Sequence, residues 1–429
     1  MTTNIISAFG LIVVVTLGAK AGQPLPPTSK PAVANAPNEL PNVLPRVPAD
    51  GVAPQDQVSQ ARLLATLQSL PTKRSANGTD EHRKGLHDTE ELMLDSLRAL
   101  GFAPMTHEFD FLGSSRDGRR PAPSLKPDTP NNAPDAAPVA AERLPWRNII
   151  VEIKGQTRPE EVLIFSAHID AVPESPGADD DGTGVAAILE MARLLKDRPM
   201  QRTVRLCLFN LEEVGLVGSR AYVESIEEEI LGKIITPASP DSGRKAERAS
   251  PTMKFVGMAS IDGVGYFTDE PNSQKSPIPE TKFFKPPTVG DFLAMGGIAR
   301  HRMFSQALDK AMRQAAPELK TVVVDFLPIA LPDLLRSDHA PFLGLGVPAV
   351  ILADTANFRN PHYHQPTDTI ETLDMKRFTD VVRGLVGAAH TLAGPVGQPL
   401  TELVPKRPDA PAPPVLPESR TTPQPLKRE

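Results

Sequence analysis

"EVLIFSAHIDAVPESPGADDDGTGVAAILEMARLLKD", residues 161–197, predicts a buried strand, an acidic loop and a helix in immediate succession. Residues 162–165 are apolar without a break, as in a strand buried on both faces, and apolar residues then recur at helical spacing from residue 185 onward. The loop at 166–184 holds one histidine and five carboxylates. Carboxylates this close together raise one another's pKa and repel. The loop therefore costs free energy unless water or a bound cation compensates its negative charge. A solvated acidic turn is the simpler alternative.

The strand and helix signals of this stretch continue on both sides of it. Between residues 55 and 393, apolar runs of strand length alternate with apolar residues at helical spacing. The alternation predicts one α/β domain with a mostly parallel, mixed central sheet flanked by helices. The predicted strands cover 146–155, 161–170, 203–210, 253–262, 321–328 and 347–354, and the predicted helices cover 58–70, 85–101, 184–197, 301–316 and 372–394.

The composition of the chain argues against several kinds of site and partner. The single cysteine, Cys207, excludes a disulfide within the chain and any metal site built on thiolates, so a metal would have to be held by His, Asp and Glu. The net charge is −6 and the basic residues form no stripe, which argues against a nucleic-acid partner.

Proline is the compositional anomaly. Of its 47 prolines the chain places nine in residues 23–54, seven in 121–145 and ten in 394–429. These clusters predict a disordered linker at 22–54, a disordered tail at 394–429 and a domain at 55–393 that carries insertions near 112–145, 236–251 and 267–297. The insertions at 236–251 and 267–297 are expected to form the walls of a cleft, although their sequences indicate no side-chain preference of the site.

The first 21 residues resemble an export signal. An apolar run at 5–18 is followed by "AKA" at 19–21, the small-x-small form of a signal-peptidase site. We therefore expect export to the periplasm or the extracellular space. Because "MTTN" carries no Lys or Arg, an uncleaved anchor is the alternative, and only in that case would the protein contact a membrane.

Polar side chains follow three of the predicted strands. His168 and Asp170 come after the first of these, Glu212 and Glu213 after the second, and Asp262 after the third. Binding sites of open α/β sheets gather at the carboxyl ends of the strands, so we expect these side chains to meet. A solvated acidic loop would give no reason for three separate strands to end in potential ligands.

The residue types suit a Zn²⁺ site, with Mn²⁺ or Co²⁺ as possible substitutes. The spacing of His168 and Asp170 allows the carboxylate to orient the imidazole. Glu212 and Glu213, as neighbours at a strand end, point in different directions and can divide proton transfer from metal binding.

The motifs resemble those of the co-catalytic di-zinc metallopeptidases, the family of bacterial leucyl aminopeptidases, aminopeptidase Y and the glutamate carboxypeptidases. The resemblance covers roughly residues 55–393. It rests on "SAHIDAV", "SPGADDDGTGVAAILEMARLL", "NLEEVGLVGSRAYV", "ASIDGVGY", "RSDHAPFLGLGVPAVIL" and "NPHYHQPTDTIETLD", in that order.

The resemblance implies two zinc ions per chain and a role for each residue of the cluster. Glu212 would be the general base and Asp170 would hold His168. The implied ligands are His168 and Asp262 for one ion, Glu213 and His364 for the other, and Asp180 as the bridge between them. Asp179 and Asp181 would support the turn around Asp180.

Other histidines match the motifs less well. The motif favours His364 over His362, and His339 of "RSDHAPF" is expected in a hydrogen-bonded or structural role. Ser337, Asp338 and His339 do not make a serine-protease triad, since contiguous residues rarely reach triad geometry and no G-x-S-x-G turn occurs.

The implied function is hydrolysis of a peptide bond, most simply by an aminopeptidase. A glutaminyl-cyclase-like acyltransferase with one zinc, a carboxypeptidase or amidohydrolase, and a catalytically silent binding module remain alternatives. Leucyl aminopeptidases carry a disulfide and a tyrosine just before the "SDH" loop. "PDLLRSDH" has neither, so their oxyanion contact cannot be transferred.

Overall fold

The computed structural model describes residues 51–111, 145–235, 247–277, 280, 285–326 and 332–404. The predicted signal peptide or anchor, nearly all of the linker, the first insertion apart from residue 145 and the tail beyond residue 404 lie outside these ranges. So do residues 236–246 of the second insertion and parts of the third.

The described strands and helices alternate along the chain as predicted. The strands are β1 (Met105–Phe109), β2 (Trp146–Ile153), β3 (Arg158–His168), β4 (Arg202–Phe209), β5 (Ile234–Ile235), β6 (Glu247–Arg248), β7 (Lys254–Ile261), β8 (Leu293–Ile298), β9 (Thr321–Phe326) and β10 (Ala349–Ala353). The helices are α1 (Gln60–Ser69), α2 (Asp80–Ala99), α3 (Gly182–Leu195), α4 (Val217–Ser225), α5 (Glu227–Leu231), α6 (Arg302–Ala315), α7 (His339–Gly344) and α8 (Met375–Ala393).

Eight of these strands form one sheet in the order β1-β2-β4-β3-β7-β10-β8-β9. Its centre, β4-β3-β7-β10, is parallel, whereas β1 and β2 are antiparallel at one edge and β8 is antiparallel to β10. The predicted mixed, mostly parallel sheet flanked by helices is therefore confirmed. Because β3, β4 and β7 are parallel neighbours, their carboxyl ends lie at the same edge of the sheet.

The centre of the sheet is apolar on both faces. Leu163 and Phe165 of β3 pack into one buried cluster, and Val162 and Ile164 pack into a second cluster on the opposite face. This double burial explains the unbroken apolar run that the sequence shows there. It also fixes the point at which the chain leaves the core, which is His168, the last residue of β3.

Two boundaries differ from the prediction. Residues 293–298, assigned from sequence to an insertion, form β8 inside the sheet. Gly296 has a packing reason, because a Cβ there would lie 3.0 Å from the side chains of Ile351 and Leu334, which is tighter than an ordinary contact.

The start of the predicted tail is part of the domain. Gln201 donates its main-chain N–H to Gly394 O at 2.7 Å, and buried Arg202 donates to Thr401 O at 2.9 Å. Leu403 is 1% exposed and belongs to the core. Residues 394–404 therefore lie against the domain instead of forming a free tail. Among the residues that the structure describes, no helix is long and apolar enough to cross a membrane.

Candidate active site

The carboxyl ends of β3 and β7 and the loop before α3 bring three potential ligands together. His168 Nε2 lies 3.0 Å from Asp180 Oδ1 and 3.9 Å from Asp262 Oδ1. His168 and Asp180 are buried, and Asp262 is half-buried. The three side chains offer one nitrogen and two carboxylates to a common point, so this group could hold a metal ion.

A second group shares Asp180 with the first. His364 Nε2 lies 3.1 Å from Asp180 Oδ2 and 3.1 Å from Glu213 Oε2, yet it makes no hydrogen bond with good geometry. Atoms that converge without hydrogen-bonding are arranged as ligands would be around an ion. The two oxygens of Asp180 thus face different groups, and the donor set fits a pair of divalent cations.

The electrostatics of the two groups agree with that fit. Although burial opposes ionisation, the imidazoles of His168 and His364 hold the pKa of Asp180 below its usual value. Burial and the charge of Asp180 raise the pKa of Glu213 to about 7. Against the effect of burial, Asp180 and Glu213 raise the pKa of His364 to about 10. Without metal ions, protons bound to these side chains thus compensate the negative charge that cations would otherwise neutralise.

Glu212 is placed beside the groups without belonging to either. It is buried, and burial together with the charges of Asp262 and Glu213 raises its pKa well above the usual value, although His168 acts in the opposite direction. Because the carboxylate also lines the cavity described below, it is within reach of a molecule bound there.

Asp170 ties the strand ends together. Its Oδ1 and Oδ2 accept the main-chain N–H groups of Glu212 and Glu213 at 3.0 and 3.1 Å. Its Oδ1 also lies 3.5 Å from Nδ1 of His168, whose pKa is raised by the neighbouring carboxylates despite burial. The main-chain carbonyl of Asp170 contacts Nδ1 of His168 at 3.1 Å, and its buried carboxylate fixes the turn that presents both glutamates.

Asp181 and Asp179 flank the shared aspartate and use their oxygens differently. Asp181 caps α3 by accepting from Gly184 N at 2.9 Å, and its other oxygen accepts from His168 N at 3.0 Å. Asp179 accepts from Gly265 N at 2.7 Å and from the Asn360 side chain at 2.8 Å. These bonds match the predicted support of the turn.

Asp368 completes the loop, although no role was predicted for it. Its carboxylate accepts the main-chain N–H groups of Asp179 at 2.9 Å and of Asp180 at 3.2 Å. The only signal for it was its place four residues after His364 in the motif "NPHYHQPTDT".

The backbone is strained on both sides of the glutamates and at the last ligand. Leu211, Leu216 and His364 have φ values of 60°, 59° and 58°, in the left-handed region that non-glycine residues rarely adopt. Such conformations cost on the order of 1–3 kcal/mol each and persist where surrounding contacts over-determine them.

The discounted residues belong to neither group. His362 Nδ1 contacts Thr367 Oγ1 at 2.9 Å, and His339 is fully buried at the start of α7. Ser337 Oγ lies 3.0 Å from Ser260 Oγ and is not paired with His339. No serine triad exists at this position.

A cavity of about 520 Å³ opens beside the two groups. Asp180, Glu212, Glu213, Asp262 and His364 line one part of it. Residues of β8, β9 and β10 and of the neighbouring loops give the cavity an apolar lining, which includes Phe292, Ala294, Val324, Ile351, Ala353 and Leu334. Arg220 and Arg336 bring positive charge to the same cavity.

Buried Arg74, between α1 and α2, supports the acidic loop from behind. Its guanidinium donates to the main-chain carbonyls of Ile169 at 3.0 Å and Gly177 at 2.5 Å, and also to Pro176. No local pattern marks Arg74 as part of the site, because it lies 95 positions before Ile169 in the chain.

The sequence of the chain matches peptidase family M28 over residues 148–245 and 291–388, which contain every residue of the two groups except Asp262. The chain belongs to peptidase family M28. Membership confirms the resemblance to the zinc aminopeptidases.

Two curated relatives of this family member are similar over about half of its length. The uncharacterized protein YfbL of Escherichia coli is 28% identical over 56% of this chain and 70% of that protein. The probable lipoprotein aminopeptidase LpqL of Mycobacterium tuberculosis is 29% identical over 59% of this chain and 48% of that protein. The chain thus spans about half the length of LpqL.

Solved structures share the fold. BSAP, a zinc aminopeptidase from Bacillus subtilis, has a TM-score of 0.52 at 18% identity, covering 81% of this chain and 98% of that chain. A glutaminyl cyclase from Fimbriiglobus ruber has a TM-score of 0.50 at 18% identity, covering 78% and 95%. The M28 chain therefore has an architecture common to both kinds of enzyme, and the residues of the site have to distinguish them.

Proposed function

We propose that this member of family M28 is an exported zinc-dependent aminopeptidase that hydrolyses the amino-terminal peptide bond of its substrate. The observation that carries the proposal is the pair of ligand groups joined by Asp180, with buried Glu212 beside them in the cavity wall.

Two zinc ions would be held by His168, Asp180 and Asp262 on one side and by Asp180, Glu213 and His364 on the other. When bound, such a pair supplies Lewis acidity and lowers the pKa of a water molecule. Glu212 would accept a proton from the attacking water at its carboxylate and return it to the leaving amine. Asp170 would keep the His168 imidazole and the main chain of Glu212 in register for this transfer.

The apolar part of the cavity supports a substrate with an apolar amino-terminal residue. The side chains of Val324, Ile351 and Ala353 offer no charge to such a group, and burying one leucine-sized side chain against them would stabilise binding by about 1.5–3 kcal/mol. We therefore expect leucyl or similar amides to be preferred to lysyl or glutamyl amides.

The competing functions lack support from particular residues. A glutaminyl-cyclase-like enzyme would use one zinc, whereas five predicted ligands form two groups around Asp180. A silent binding module would not need a buried carboxylate at position 212. The choice of substrate distinguishes the proposed aminopeptidase from a carboxypeptidase or amidohydrolase. The aminopeptidase cleaves a peptide with a free amino terminus and leaves an amino-blocked peptide intact.

The experiment tests separately whether Glu212 is the general base and whether Asp180 is the ligand shared by both ions. Glu212→Gln keeps the shape of the side chain and removes the proton acceptor, so turnover of a leucyl amide should fall by roughly 10²- to 10⁴-fold with about two zinc ions retained. Asp180→Asn offers one neutral acceptor oxygen where two anionic oxygens are needed, so that variant should lose zinc as well as activity.

Exposed Glu174, in the same acidic loop, supplies the matched control. Glu174→Gln should change neither zinc content nor turnover. If Glu212→Gln loses zinc and Asp180→Asn keeps both ions, the two roles have been assigned wrongly. Full activity after exhaustive chelation would exclude a metallopeptidase altogether.

Export of the protein rests on the apolar run and "AKA" site of residues 5–21. The relative LpqL is itself described as a probable lipoprotein. Detection of the mature protein in a periplasmic or culture fraction, with an amino terminus near residue 22, would support cleavage. Recovery of the intact chain in the membrane fraction would support the anchor instead.

A further inference from the structure

The cavity carries more positive charge than the proposed chemistry uses. Outside the two ligand groups and Glu212, its charged lining residues are three cations and one carboxylate: Arg220, Lys275, Arg336 and Asp333. Cations near a pair of dications raise the electrostatic free energy of the bound ions, whereas a bound anion lowers it. The lining therefore points to a ligand that brings a negative charge of its own.

The guanidinium of Arg220 has no partner within the described parts of the chain. Arg220 is the fourth residue of α4 (Val217–Ser225), it is exposed, and it lines the cavity. No ion pair joins it to another described residue, not even to Glu224 one turn further along the helix. A cation near the start of a helix also meets the positive end of the macrodipole. Neither the stability of α4 nor a neighbouring carboxylate accounts for this arginine.

Arg336 is fixed by neighbours that leave much of its charge uncompensated. Its Nη2 donates to the Tyr363 hydroxyl at 3.0 Å and its Nη1 to Asn357 Oδ1 at 3.2 Å, and an amide or a phenol carries no negative charge at neutral pH. The carboxylate of Asp333 lies 3.5 Å from Nη1, and 46% of that side chain is exposed to water. Because a guanidinium has five N–H groups, Arg336 keeps donors for a further acceptor.

The rest of the lining is apolar and the cavity is large. The side chains of Val324 and Ile351 offer no partner to a charged group. The volume of about 520 Å³ lies within the range of about 300–1,000 Å³ that is typical of sites enclosing a whole small molecule. A dipeptide has the matching composition, because it joins an apolar amino-terminal residue to a second residue that ends in a carboxylate.

We infer that Arg220 and Arg336 bind the free carboxylate of the leaving residue, so that the preferred substrates are dipeptides with an apolar amino-terminal residue. Arginine suits this task because its planar fork of donors matches the two oxygens of a carboxylate. The inference rests on the proposed aminopeptidase function and names its substrate class.

The first test compares substrates that share the scissile bond. Leucyl-alanine and leucyl-alaninamide differ only in the terminal group, which is a carboxylate in the first and a neutral amide in the second. The wild-type kcat/KM for leucyl-alanine should exceed that for the amide by about 10- to 100-fold, as expected for a charge-assisted contact. Leucyl-alanyl-alanine, whose carboxylate lies one residue further on, should lose most of this advantage.

The second test removes each arginine separately. In Arg220→Gln and in Arg336→Gln, kcat/KM for leucyl-alanine should fall by about tenfold, chiefly through KM, whereas kcat/KM for leucyl-alaninamide should change by less than about twofold. Turnover of the amide thus reports whether the fold and the zinc site of each variant are intact. A variant that leaves the ratio of the two substrates unchanged would overturn the role of that arginine.

Arg383→Gln is the matched control. It removes an arginine of α8 that pairs with Asp380 and does not line the cavity. The ratio of the two substrates should stay at its wild-type value in this variant. An equal fall of the ratio in Arg383→Gln would overturn the inference, because the net charge of the protein would then explain the preference.

The third test does not depend on turnover. In the reduced-bond analogue of leucyl-alanine, CH₂–NH replaces the amide, so the molecule cannot be hydrolysed, and it can be made as a carboxylate or as a carboxamide. By calorimetry on zinc-loaded wild-type protein, the carboxylate should bind about tenfold more tightly than the carboxamide, and the Arg220→Gln/Arg336→Gln double variant should abolish the difference. Added salt should weaken the carboxylate more than the carboxamide. Equal affinities in the wild-type protein would overturn the inference.

The outcomes separate this inference from the proposed function. A wild-type protein that cleaves no peptide with a free amino terminus overturns the proposed function and the inference with it. Cleavage of acetyl-leucyl-alanine would overturn both as well, because a free amino group would then not be required. A wild-type protein that cleaves leucyl-alaninamide as efficiently as leucyl-alanine is still an aminopeptidase, and that result overturns the inference alone.

Discussion

Arg74 offers the most direct test of how the acidic loop is held. Its side chain is buried, with the residue 2% exposed, and its guanidinium donates to the carbonyls of Pro71, Ile169, Pro176 and Gly177. Three of these four carbonyls belong to the segment that joins His168 to Asp180. A single side chain thus fixes both ends of the loop that supplies two of the candidate ligands.

The expected cost follows from these bonds. Arg74→Met keeps a long side chain but leaves three loop carbonyls, two of them buried, without their donor, at about 1–3 kcal/mol each when unsatisfied. Because the contacts share one side chain they are not additive, so the total cost should lie in the lower part of the summed range of about 3–9 kcal/mol, at about 3–5 kcal/mol. The loop should therefore loosen while the sheet beneath it stays folded.

Two measurements check this expectation. Urea unfolding of the metal-free protein should show the free energy of unfolding reduced by about 3–5 kcal/mol, and competition with a chelator should show weaker zinc binding. Arg74→Lys should fall between wild type and Arg74→Met. The control is Arg98→Met at an exposed position of α2, which breaks the ion pair with Asp95 and should cost less than about 0.5 kcal/mol. Unchanged stability and unchanged zinc affinity in Arg74→Met would refute the reasoning.

Two further predictions concern protons and boundaries. In the metal-free protein Asp180 and Glu213 raise the pKa of His364 to about 10 despite burial, and a ligand imidazole must be neutral. Zinc loading at pH 7 should therefore release about one proton from His364, and the affinity for zinc should fall as pH decreases. Calorimetry in buffers of different ionisation enthalpy measures the number of protons released. If no proton is released, His364 is excluded as a ligand. A chain of residues 51–404 should unfold at a higher temperature than one of residues 55–393, because only the longer chain keeps Leu403 in the core; equal melting temperatures would show that residues 394–404 are dispensable.

The sequence predicted those parts of the site that depend on local pattern. Apolar runs fixed the ends of β3, β4 and β7, and the rule for parallel sheets then placed His168, Glu212 and Asp262 at one edge. The order of the strands did not follow in the same way. β4 lies between β2 and β3 although it comes after both in the chain, and that insertion depends on pairings that no local pattern records.

The parts that sequence reasoning missed are long-range. Arg74 and the carbonyl of Gly177 are 103 residues apart, and Asp368 is 188 residues from the Asp180 N–H that it accepts. Gly296 and Gly297 made β8 resemble a loop, because glycine weakens a strand in isolation and only the packing against β10 explains its presence. In each case the missing information was the identity of a distant neighbour.

The three consecutive aspartates show how neighbours of identical chemistry acquire different roles. They are 1%, 6% and 0% exposed in the order Asp179, Asp180, Asp181, so the alternative of a solvated acidic turn is wrong. Asp179 and Asp181 lie within reach of main-chain N–H groups, which meet the charge of each carboxylate and hold it in place. Asp180 has none of these bonds to its side chain, and its two oxygens face two imidazoles instead. Of the three aspartates, only Asp180 has a carboxylate that main-chain N–H groups do not neutralise. The backbone amides around Asp179 and Asp181 thus determine that Asp180 is the aspartate that can join two metal sites.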